Sequence, residues 1–286
     1  MATNYQAQLV ALLGKPVAEN PTGVMQEAAF RELGLNWRYL NLEVAPERLA
    51  DAILGVRAMG IAGLNLTIPH KVAVMPLLDE ISPAARLIGA VNTVRRDGER
   101  LLGENTDGKG FLRALQTDAG HDARGQRILL LGAGGAARAM ATELALAGAR
   151  EIVVVNRSAA RGQAMVADLA RGTGVTTHWE PWTRTYAVPA GFHVLANDTS
   201  AGLYPHVDEM PDVDLSGADG TMLVCDAVFN PAETRLLRTA AARGLRTLDG
   251  LSMLVYQGII GFELWTGHSA PEAVMKRALQ QALAEG

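Results

Sequence analysis

The sequence has few of several residue types, and each shortage excludes a class of protein. Its one cysteine, Cys225, cannot form an internal disulfide, so nothing indicates an oxidising compartment. The net charge of −4 leaves no excess of lysine and arginine for a nucleic-acid surface. The six histidines lack metal-ligand spacing, the start lacks a signal peptide, and no run approaches the ~20 apolar residues of a membrane helix. We therefore expect a cytoplasmic protein with no metal, nucleic-acid or membrane partner.

What the sequence does contain is the pattern of a two-domain α/β protein. Its 286 residues are close to two domains at ~150 residues each, and 49 % of them are hydrophobic. Short apolar runs end at glycine or proline and alternate with segments of helical period, which is typical of βα units and parallel sheets. In the first half we predict strands at 9–13, 38–44 and 63–68, helices at 21–33 and 46–59, and a hairpin of 91–95 with 100–104.

The second half repeats the same alternation after a polar stretch at residues 120–126. A helix at 109–118 precedes this stretch. The elements predicted after it are strands at 127–131, 151–155, 192–196 and 222–226, with helices at 136–147 and 159–170. The final helices, at 251–265 and 271–284, are expected to fold back on the first domain.

The loop after the strand at 127–131 has the glycine pattern of a dinucleotide-binding turn. Gly132 suits a tight turn, Gly134 allows close approach of a diphosphate, and Ala137 suits helix–strand packing. The helix that follows presents free N–H groups and a positive dipole end to the phosphates. The predicted cofactor-binding residues of this loop are Gly132, Ala133, Gly134, Gly135 and Ala136.

The end of the next strand favours NADP over NAD as the cofactor. An NAD site usually has an acidic residue here for the ribose hydroxyls, but this chain has Asn156. Arg157 and Arg161 follow within one turn, and guanidinium groups suit the 2′-phosphate of NADP. The predicted contacts are Asn156, Arg157, Ser158 and Arg161. The alternative is that the two arginines only solvate a helix start, and NAD stays possible.

Two residues suit proton transfer beside a nicotinamide. Lys71 lies just beyond the strand at 63–68, and Asp107 follows the hairpin at a domain junction. Such a pair could assist alcohol–ketone interconversion by general acid–base catalysis. Spacing alone leaves the alternative of a surface lysine and a turn aspartate.

Motifs along nearly the whole chain closely resemble the shikimate dehydrogenase family. The three core motifs are GLNLTIPHK at 63–71, GAVNTV at 89–94 and GENTDG at 103–108. The likeness continues, in the family's order, through residues 132–137, 156–158, 229–231 and 249–257.

The resemblance implies a two-domain α/β fold with an N-terminal substrate domain and a Rossmann-type NADP-binding domain built on a parallel sheet. Residues 1–108 and 252–286 would form the discontinuous substrate-binding and catalytic domain, and residues 109–251 the NADP domain. Lys71 and Asp107 would be the catalytic pair, while Thr199 and Gly250 would join the cofactor site. Asn65, Asn92, Asp107 and Gln257 would hold the ring hydroxyls of the substrate, and Thr67 would shape the pocket.

Alternatives remain for three of these residues. Thr67 could simply suit a strand end, and Asn65 and Asn92 could satisfy loop backbone groups.

The implied reaction is the reversible, NADP-dependent reduction of 3-dehydroshikimate to shikimate, a step of the shikimate pathway of aromatic amino acid biosynthesis. A different cyclic hydroxy acid, such as quinate or an aminated shikimate analogue, is an alternative substrate. A non-catalytic ligand-binding or regulatory homologue is the alternative from another class. The expected partner is a small hydroxy acid, and the expected state is a monomer or homodimer.

The sequence departs from the family's pattern at three places. Where family members usually carry two serines that bind the substrate carboxylate, this chain has ENPTG at 19–23. Asn20 and Thr22 are the predicted carboxylate ligands there, although Asn20 is equally an ordinary helix N-cap. Phe229 replaces a usual tyrosine, and Asp198 replaces a usual alanine. The catalytic pair is unchanged, so the departures concern the substrate more than the chemistry.

Overall fold

The computed structural model describes residues 5–285, which contain two compact α/β units. Unit 1 comprises Met1–Thr106 and Gln257–Gly286, and unit 2 comprises Asp107–Tyr256. Residues 1–4 and 286 of the predicted first domain lie outside the described residues. The prediction of two α/β domains, one with an all-parallel sheet, is confirmed.

Unit 1 is built on a six-stranded mixed sheet with the strand order β2-β1-β3-β5-β6-β4. The strands are β1 (Gln8–Gly14), β2 (Trp37–Glu43), β3 (Gly63–Leu66), β4 (Glu80–Ile81), β5 (Thr93–Asp97) and β6 (Arg100–Glu104). The helices are α1 (Thr22–Glu32), α2 (Leu49–Met59), α3 (His70–Ala73), α4 (Pro83–Ile88) and α10 (Glu272–Glu285), with 3-10 turns at Pro46–Arg48 and Met75–Leu77. Strand β1 pairs in parallel with β2 and β3, and β5 pairs antiparallel with β3 and β6.

One hydrophobic cluster of unit 1 lies between this sheet and helix α2. Strand β1 is a continuous apolar run because it is central and buried on both faces, as parallel strands with covered faces are. Leu13, Leu64 and Val94 of three adjacent strands meet Ile53 and Val56 of α2. Helix α10 packs on α1, so the final helix is part of the packing of unit 1.

Unit 2 is built on a six-stranded sheet in which every neighbouring pair of strands is parallel. Its order is β14-β13-β11-β7-β8-β9, and a small parallel pair, β10 with β12, accompanies it. The strands are β7 (Arg127–Leu131), β8 (Glu151–Asn156), β9 (Thr176–Pro181), β10 (Tyr186–Ala187), β11 (Val194–Asn197), β12 (Val213–Asp214), β13 (Leu223–Asp226) and β14 (Arg246–Leu248). The helices are α5 (Asp107–Thr117), α6 (Gly135–Leu146), α7 (Ala159–Thr173) and α8 (Arg235–Ala242), with a 3-10 turn at Leu215–Gly217; α9 (Gly250–Thr266) contains the boundary between the units.

The strand order of unit 2 identifies where a ligand can bind. The chain runs outward from β7 to β8 and β9, and then returns to β11 on the other side of β7. In doubly wound sheets such a reversal opens a crevice at the carboxyl ends of the strands. The loops after β7, β8 and β11 therefore line a candidate dinucleotide site.

Several predicted boundaries and short elements differ from the structure. The strand predicted at 63–68 ends at Leu66, and the helix predicted from residue 109 begins at Asp107. Helices α3, α4 and α8 and the strands β4, β9, β10, β12 and β14 were not predicted. The strands are short, and their pairing depends on distant residues. Helices α3 and α4 are too short to show an apolar period, whereas α8 has both an apolar face and an N-cap at Thr234, and these signals were overlooked.

Among residues 5–285, no helix combines the length and the apolar character needed to cross a membrane.

Candidate dinucleotide and substrate sites

The glycine loop of unit 2 connects β7 to the N-terminus of α6. Gly132 has φ = +108°, a conformation that strains any residue with a Cβ atom. A Cβ added to Gly135 would meet nothing within 4 Å, so this glycine faces open space. The amides from Gly134 to Ala136 precede the first intrahelical hydrogen bond, and they are available to a ligand. This loop fits the diphosphate of a dinucleotide.

Asp198 lies against the same loop from the neighbouring strand. It directly follows β11, and its Oδ2 accepts a hydrogen bond of 2.7 Å from the N–H of Ala137 in the first turn of α6. A Cβ added to Gly134 would lie 3.3 Å from this carboxylate oxygen. A negatively charged side chain thus shares the helix N-terminus at which the predicted diphosphate would bind.

The loop after β8 provides the predicted contacts for the adenosine end of the cofactor. The Nδ2 of Asn156 donates to the carbonyl of Ser158 at 2.9 Å, which shapes the turn. The side chain of Ser158 caps helix α7 by accepting from the N–H of Arg161. Arg157 and Arg161 are both exposed, so their guanidinium groups can reach a ligand. With no carboxylate at Asn156, these residues fit the 2′-phosphate of NADP.

A buried hydrogen-bond network holds Thr199, another predicted cofactor contact. The Oδ1 of Asn197 accepts from both the N–H and the Oγ1 of Thr199, at 3.0 and 2.8 Å. The Nδ2 of Asn197 donates to Oδ1 of Asp226 at 2.8 Å, and the hydroxyl of Thr234 donates to Oδ2 at 2.7 Å. Burial raises the pKa of Asp226 above its ordinary value, although these donors and the Val228 amide oppose that shift. The network therefore fixes the carboxyl end of β11.

Gly250, also predicted to contact the cofactor, begins α9 in close contact with backbone. A Cβ at this position would lie 2.5 Å from the carbonyl oxygens of both Ala227 and Val228. Only glycine allows this approach, so the packing of α9 on the loop after β13 explains the residue whether or not a cofactor touches it.

In unit 1, Lys71 lies on the four-residue helix α3, half-buried. The N–H of Val91 donates to the carbonyl of Lys71 at 2.8 Å, and the N–H of His70 donates to the carbonyl of Thr67. The buried ring of His70 contacts the carbonyl of Val44 through Nε2 at 2.8 Å. These bonds anchor the short helix, so the backbone of the predicted catalytic lysine has a defined position.

Asn65 is buried, and its side-chain amide forms hydrogen bonds with other residues of unit 1. Its Nδ2 donates to the carbonyl of Asn92 at 3.2 Å and to Oγ1 of Thr93 at 3.1 Å, which uses both of its N–H donors. Its Oδ1 accepts from the hydroxyl of Tyr39 at 2.8 Å. Burial raises the pKa of Tyr39, so this hydroxyl stays protonated and donating. The contacts favour a structural role for Asn65 and leave its predicted contact with substrate an open prediction.

The side chain of Asn92 holds the segment that precedes Asp107. Its Oδ1 accepts from the N–H of Thr106 at 2.7 Å, and its Nδ2 donates to Oγ1 of Thr106 at 3.0 Å. Asp107 is the first residue of α5 and belongs to unit 2, whereas Lys71 and Gln257 belong to unit 1. The catalytic pair of Lys71 and Asp107 stays a prediction.

The predicted carboxylate-binding segment lies at the N-terminus of α1. The helix begins at Thr22, one residue later than predicted, and Pro21 occupies the cap position. The Oδ1 of Asn20 accepts from the N–H of Thr22 at 3.0 Å, and the side chain of Thr22 is buried. Glu19 is exposed. Asn20 thus uses its oxygen locally, and its Nδ2 is the group that could bind an anion.

Three family models match consecutive parts of the chain. They are the shikimate dehydrogenase substrate binding domain at residues 12–94, the shikimate / quinate 5-dehydrogenase at residues 114–179, and the shikimate 5'-dehydrogenase C-terminal domain at residues 250–280. A curated relative, the shikimate dehydrogenase (NADP(+)) of Desulforamulus reducens, is 42 % identical over 99 % of this chain and 98 % of its own length. The chain belongs to the shikimate dehydrogenase family.

Solved structures that are similar to this chain differ in the substrate that their names give. The ligand-free 5-ketofructose reductase of Gluconobacter sp. strain CHM43 is 43 % identical, with a TM-score of 0.93, and the match covers 97 % of this chain and 99 % of that one. The shikimate 5-dehydrogenase of Listeria monocytogenes, in complex with shikimate and NAD, is 33 % identical, with a TM-score of 0.90 and coverage of 96 % and 97 %. Membership of the shikimate dehydrogenase family therefore establishes that the protein is an oxidoreductase.

Sequence reasoning missed two features of these sites. Tyr39 was not singled out, although its hydroxyl bonds to Asn65, and no motif contains it. Asp226 and Thr234 were also missed. A polar residue at the carboxyl end of a parallel strand is a signal that could have identified Asp226, because functional groups concentrate there.

Proposed function

We propose that the protein is an NADP-dependent dehydrogenase that interconverts 3-dehydroshikimate and shikimate or a close analogue. The observation that carries this proposal is the likeness to NADP-dependent shikimate dehydrogenase along 99 % of the chain. The glycine loop before α6 and the arginines after β8 support the choice of cofactor.

In this proposal unit 1 binds the substrate and unit 2 binds the cofactor. Unit 1 binds the hydroxy acid through Asn20, Thr22, Thr67, Asn92 and Gln257, with Asn65 supporting Asn92. Unit 2 binds NADP through the loops after β7, β8 and β11. The boundaries at residues 108/109 and 251/252 remain predictions, close to those at which the contacts divide the chain.

The reduction needs a hydride at the carbonyl carbon and a proton at the carbonyl oxygen. NADPH supplies the hydride when it is bound. The ammonium group of Lys71 donates a proton to the carbonyl oxygen in the reduction and takes it back in the reverse direction. As the resemblance to the family implies, Asp107 would orient Lys71 and stabilise its positive charge. Proton transfer by a positioned side chain is worth about 10²–10⁴ in rate.

The decisive experiment follows nicotinamide absorbance with shikimate or quinate and with NADP⁺ or NAD⁺. We expect reduction of NADP⁺ with shikimate, and a Lys71→Ala variant whose kcat is lower by about 10²–10⁴. Lys276→Ala on α10 is the matched control and should keep its activity. A Lys71→Ala variant as active as the control would refute the assignment, while turnover with NAD⁺ alone would refute the choice of cofactor.

A second candidate function is the reduction of a neutral keto sugar. It is favoured by the likeness to the 5-ketofructose reductase and by the segment at 19–23. There the oxygen of Asn20 is used by Thr22, and the exposed carboxylate of Glu19 disfavours a negatively charged substrate. A keto sugar has no carboxylate and needs no anion site. A kcat/KM with NADPH that is higher for 5-ketofructose than for 3-dehydroshikimate would establish this candidate over the first.

The cytoplasmic location and the monomeric or homodimeric state expected from the sequence stay predictions.

A further inference from the structure

The carboxylate of Asp198 has no role in the proposed catalysis or in substrate binding, and it lies beside the glycine loop. Its N–H donates to the carbonyl of Leu131 at 2.8 Å, which ties the residue to the end of β7, just before the glycine loop. Its carbonyl oxygen would lie 3.0 Å from a Cβ on Gly132. Backbone contacts thus hold Asp198 against the loop.

Its side chain completes the contact with α6. Oδ2 accepts from the N–H of Ala137 at 2.7 Å and lies 3.3 Å from the Cβ position of Gly134. Ala137 is the third residue of the helix, so its amide belongs to the group that has no intrahelical partner. The carboxylate occupies the positive end of the helix dipole from the β11 side.

A bound dinucleotide places two negative phosphates at this same helix end. Two anions that share one helix N-terminus repel each other, and this repulsion is strongest where solvent is excluded. A carboxylate at this position stabilises the free helix and opposes the arrival of a diphosphate. The repulsion should therefore weaken binding of the dinucleotide and make its affinity depend on salt concentration.

We propose that Asp198 sets the affinity for the dinucleotide, by competing electrostatically with the cofactor's diphosphate for the N-terminus of α6. The inference rests on the proposed cofactor site, and it makes Asp198 a determinant of how readily the enzyme binds and releases its cofactor. Its negative charge weakens cofactor binding and at the same time stabilises the cofactor-free protein.

A purely structural role makes the opposite prediction for binding. If Asp198 only capped α6 and shaped the loop, its loss would reduce both the stability and the affinity for the cofactor. If it competes with the diphosphate, its neutralisation would reduce stability or leave it unchanged, and would increase affinity. The directions of the two effects separate the explanations.

The test variant is Asp198→Asn, because an amide oxygen can still accept from Ala137 while the charge is removed. Asp208→Asn, an exposed residue of the same unit, is the matched control. Dissociation constants are measured by calorimetry for NADPH and for adenosine 2′-monophosphate, which lacks the diphosphate. Melting temperatures are measured without ligand.

We expect Asp198→Asn to bind NADPH about 3- to 30-fold more tightly at low salt. The gain should shrink in 1 M salt, where charges are screened within about 3 Å. Binding of adenosine 2′-monophosphate should not change, the melting temperature should not rise, and the control variant should match the unmodified protein in every measurement.

Unchanged or weaker NADPH binding by Asp198→Asn, with binding by the unmodified protein intact, would overturn this inference alone. An equal gain for adenosine 2′-monophosphate would also overturn it, because the effect would then not depend on the diphosphate. Failure of the unmodified protein to bind either NADPH or NADH would overturn the proposed function as well.

Discussion

Thr234→Val is a sensitive test of the buried network in unit 2, because valine has nearly the shape of threonine but no hydroxyl. Thr234 is 1 % exposed. Its hydroxyl donates to Oδ2 of Asp226 at 2.7 Å and accepts from the N–H of Leu237 at 3.3 Å as the N-cap of α8. The substitution removes both bonds without opening a cavity.

The expected loss follows from these two contacts. A hydrogen bond to a charged group is worth about 1.5–3 kcal/mol, and a helix N-cap about 1 kcal/mol. The methyl group that replaces the hydroxyl recovers about 1 kcal/mol by its burial. We therefore expect Thr234→Val to lower the free energy of unfolding by about 1.5–3 kcal/mol. Thr234→Ser, which keeps the hydroxyl, should lose less than this.

The loss should also depend on pH, and its sign can be worked out. Burial raises the pKa of Asp226, so the folded protein binds this proton more tightly than the unfolded chain does. The contribution of Asp226 to stability is then full below its ordinary pKa and falls as pH rises through the folded pKa. Without the donor on Thr234, the ionised carboxylate is less well stabilised. The deficit of Thr234→Val should therefore be larger at pH 7 than at pH 4.

The assay is denaturant unfolding of both variants and the unmodified protein at pH 4 and pH 7. A difference between Thr234→Val and Thr234→Ser below about 0.5 kcal/mol at pH 7 would refute this account, because a buried charged hydrogen bond cannot be worth so little. A deficit that is larger at pH 4 would show that the sign is wrong.

The remaining predictions concern the adenosine end of the cofactor and one half-buried histidine. The double variant Arg157→Ala/Arg161→Ala should raise KM for NADP⁺ about 10- to 100-fold and leave KM for NAD⁺ unchanged, because only NADP has a 2′-phosphate; Arg171→Ala on the same helix is the control, and equal effects on both cofactors would contradict the assignment. Burial lowers the pKa of His121, so the folded protein takes up this proton less readily than the unfolded chain and loses stability as pH falls below about 6.5. His121→Gln should flatten the fall in melting temperature between pH 7.5 and pH 5.5, and an unchanged profile would argue against this sign.

Much of the fold and part of the candidate site were predictable from local sequence. The strand at 127–131, the glycine turn after it and the start of α7 follow from apolar runs and caps within a few residues. The hairpin about Gly98, with φ = +60°, follows in the same way from one dipeptide. These features depend on neighbouring residues, so spacing along the chain contains the necessary information.

Only the tertiary structure determined which hydrogen-bond partners the individual polar side chains have. Asn65 was predicted from its motif, but sheet register places it against Tyr39, 26 residues away. Asp198 was noticed as a departure from the family, but its bond to Ala137 joins residues 61 positions apart. The sequence by itself determined the α/β alternation, the dinucleotide loop and the candidate catalytic residues. Tertiary structure decided which polar groups form hydrogen bonds within the protein. Such bonds between distant strands depend on register and packing, and neither of these produces a local sequence pattern.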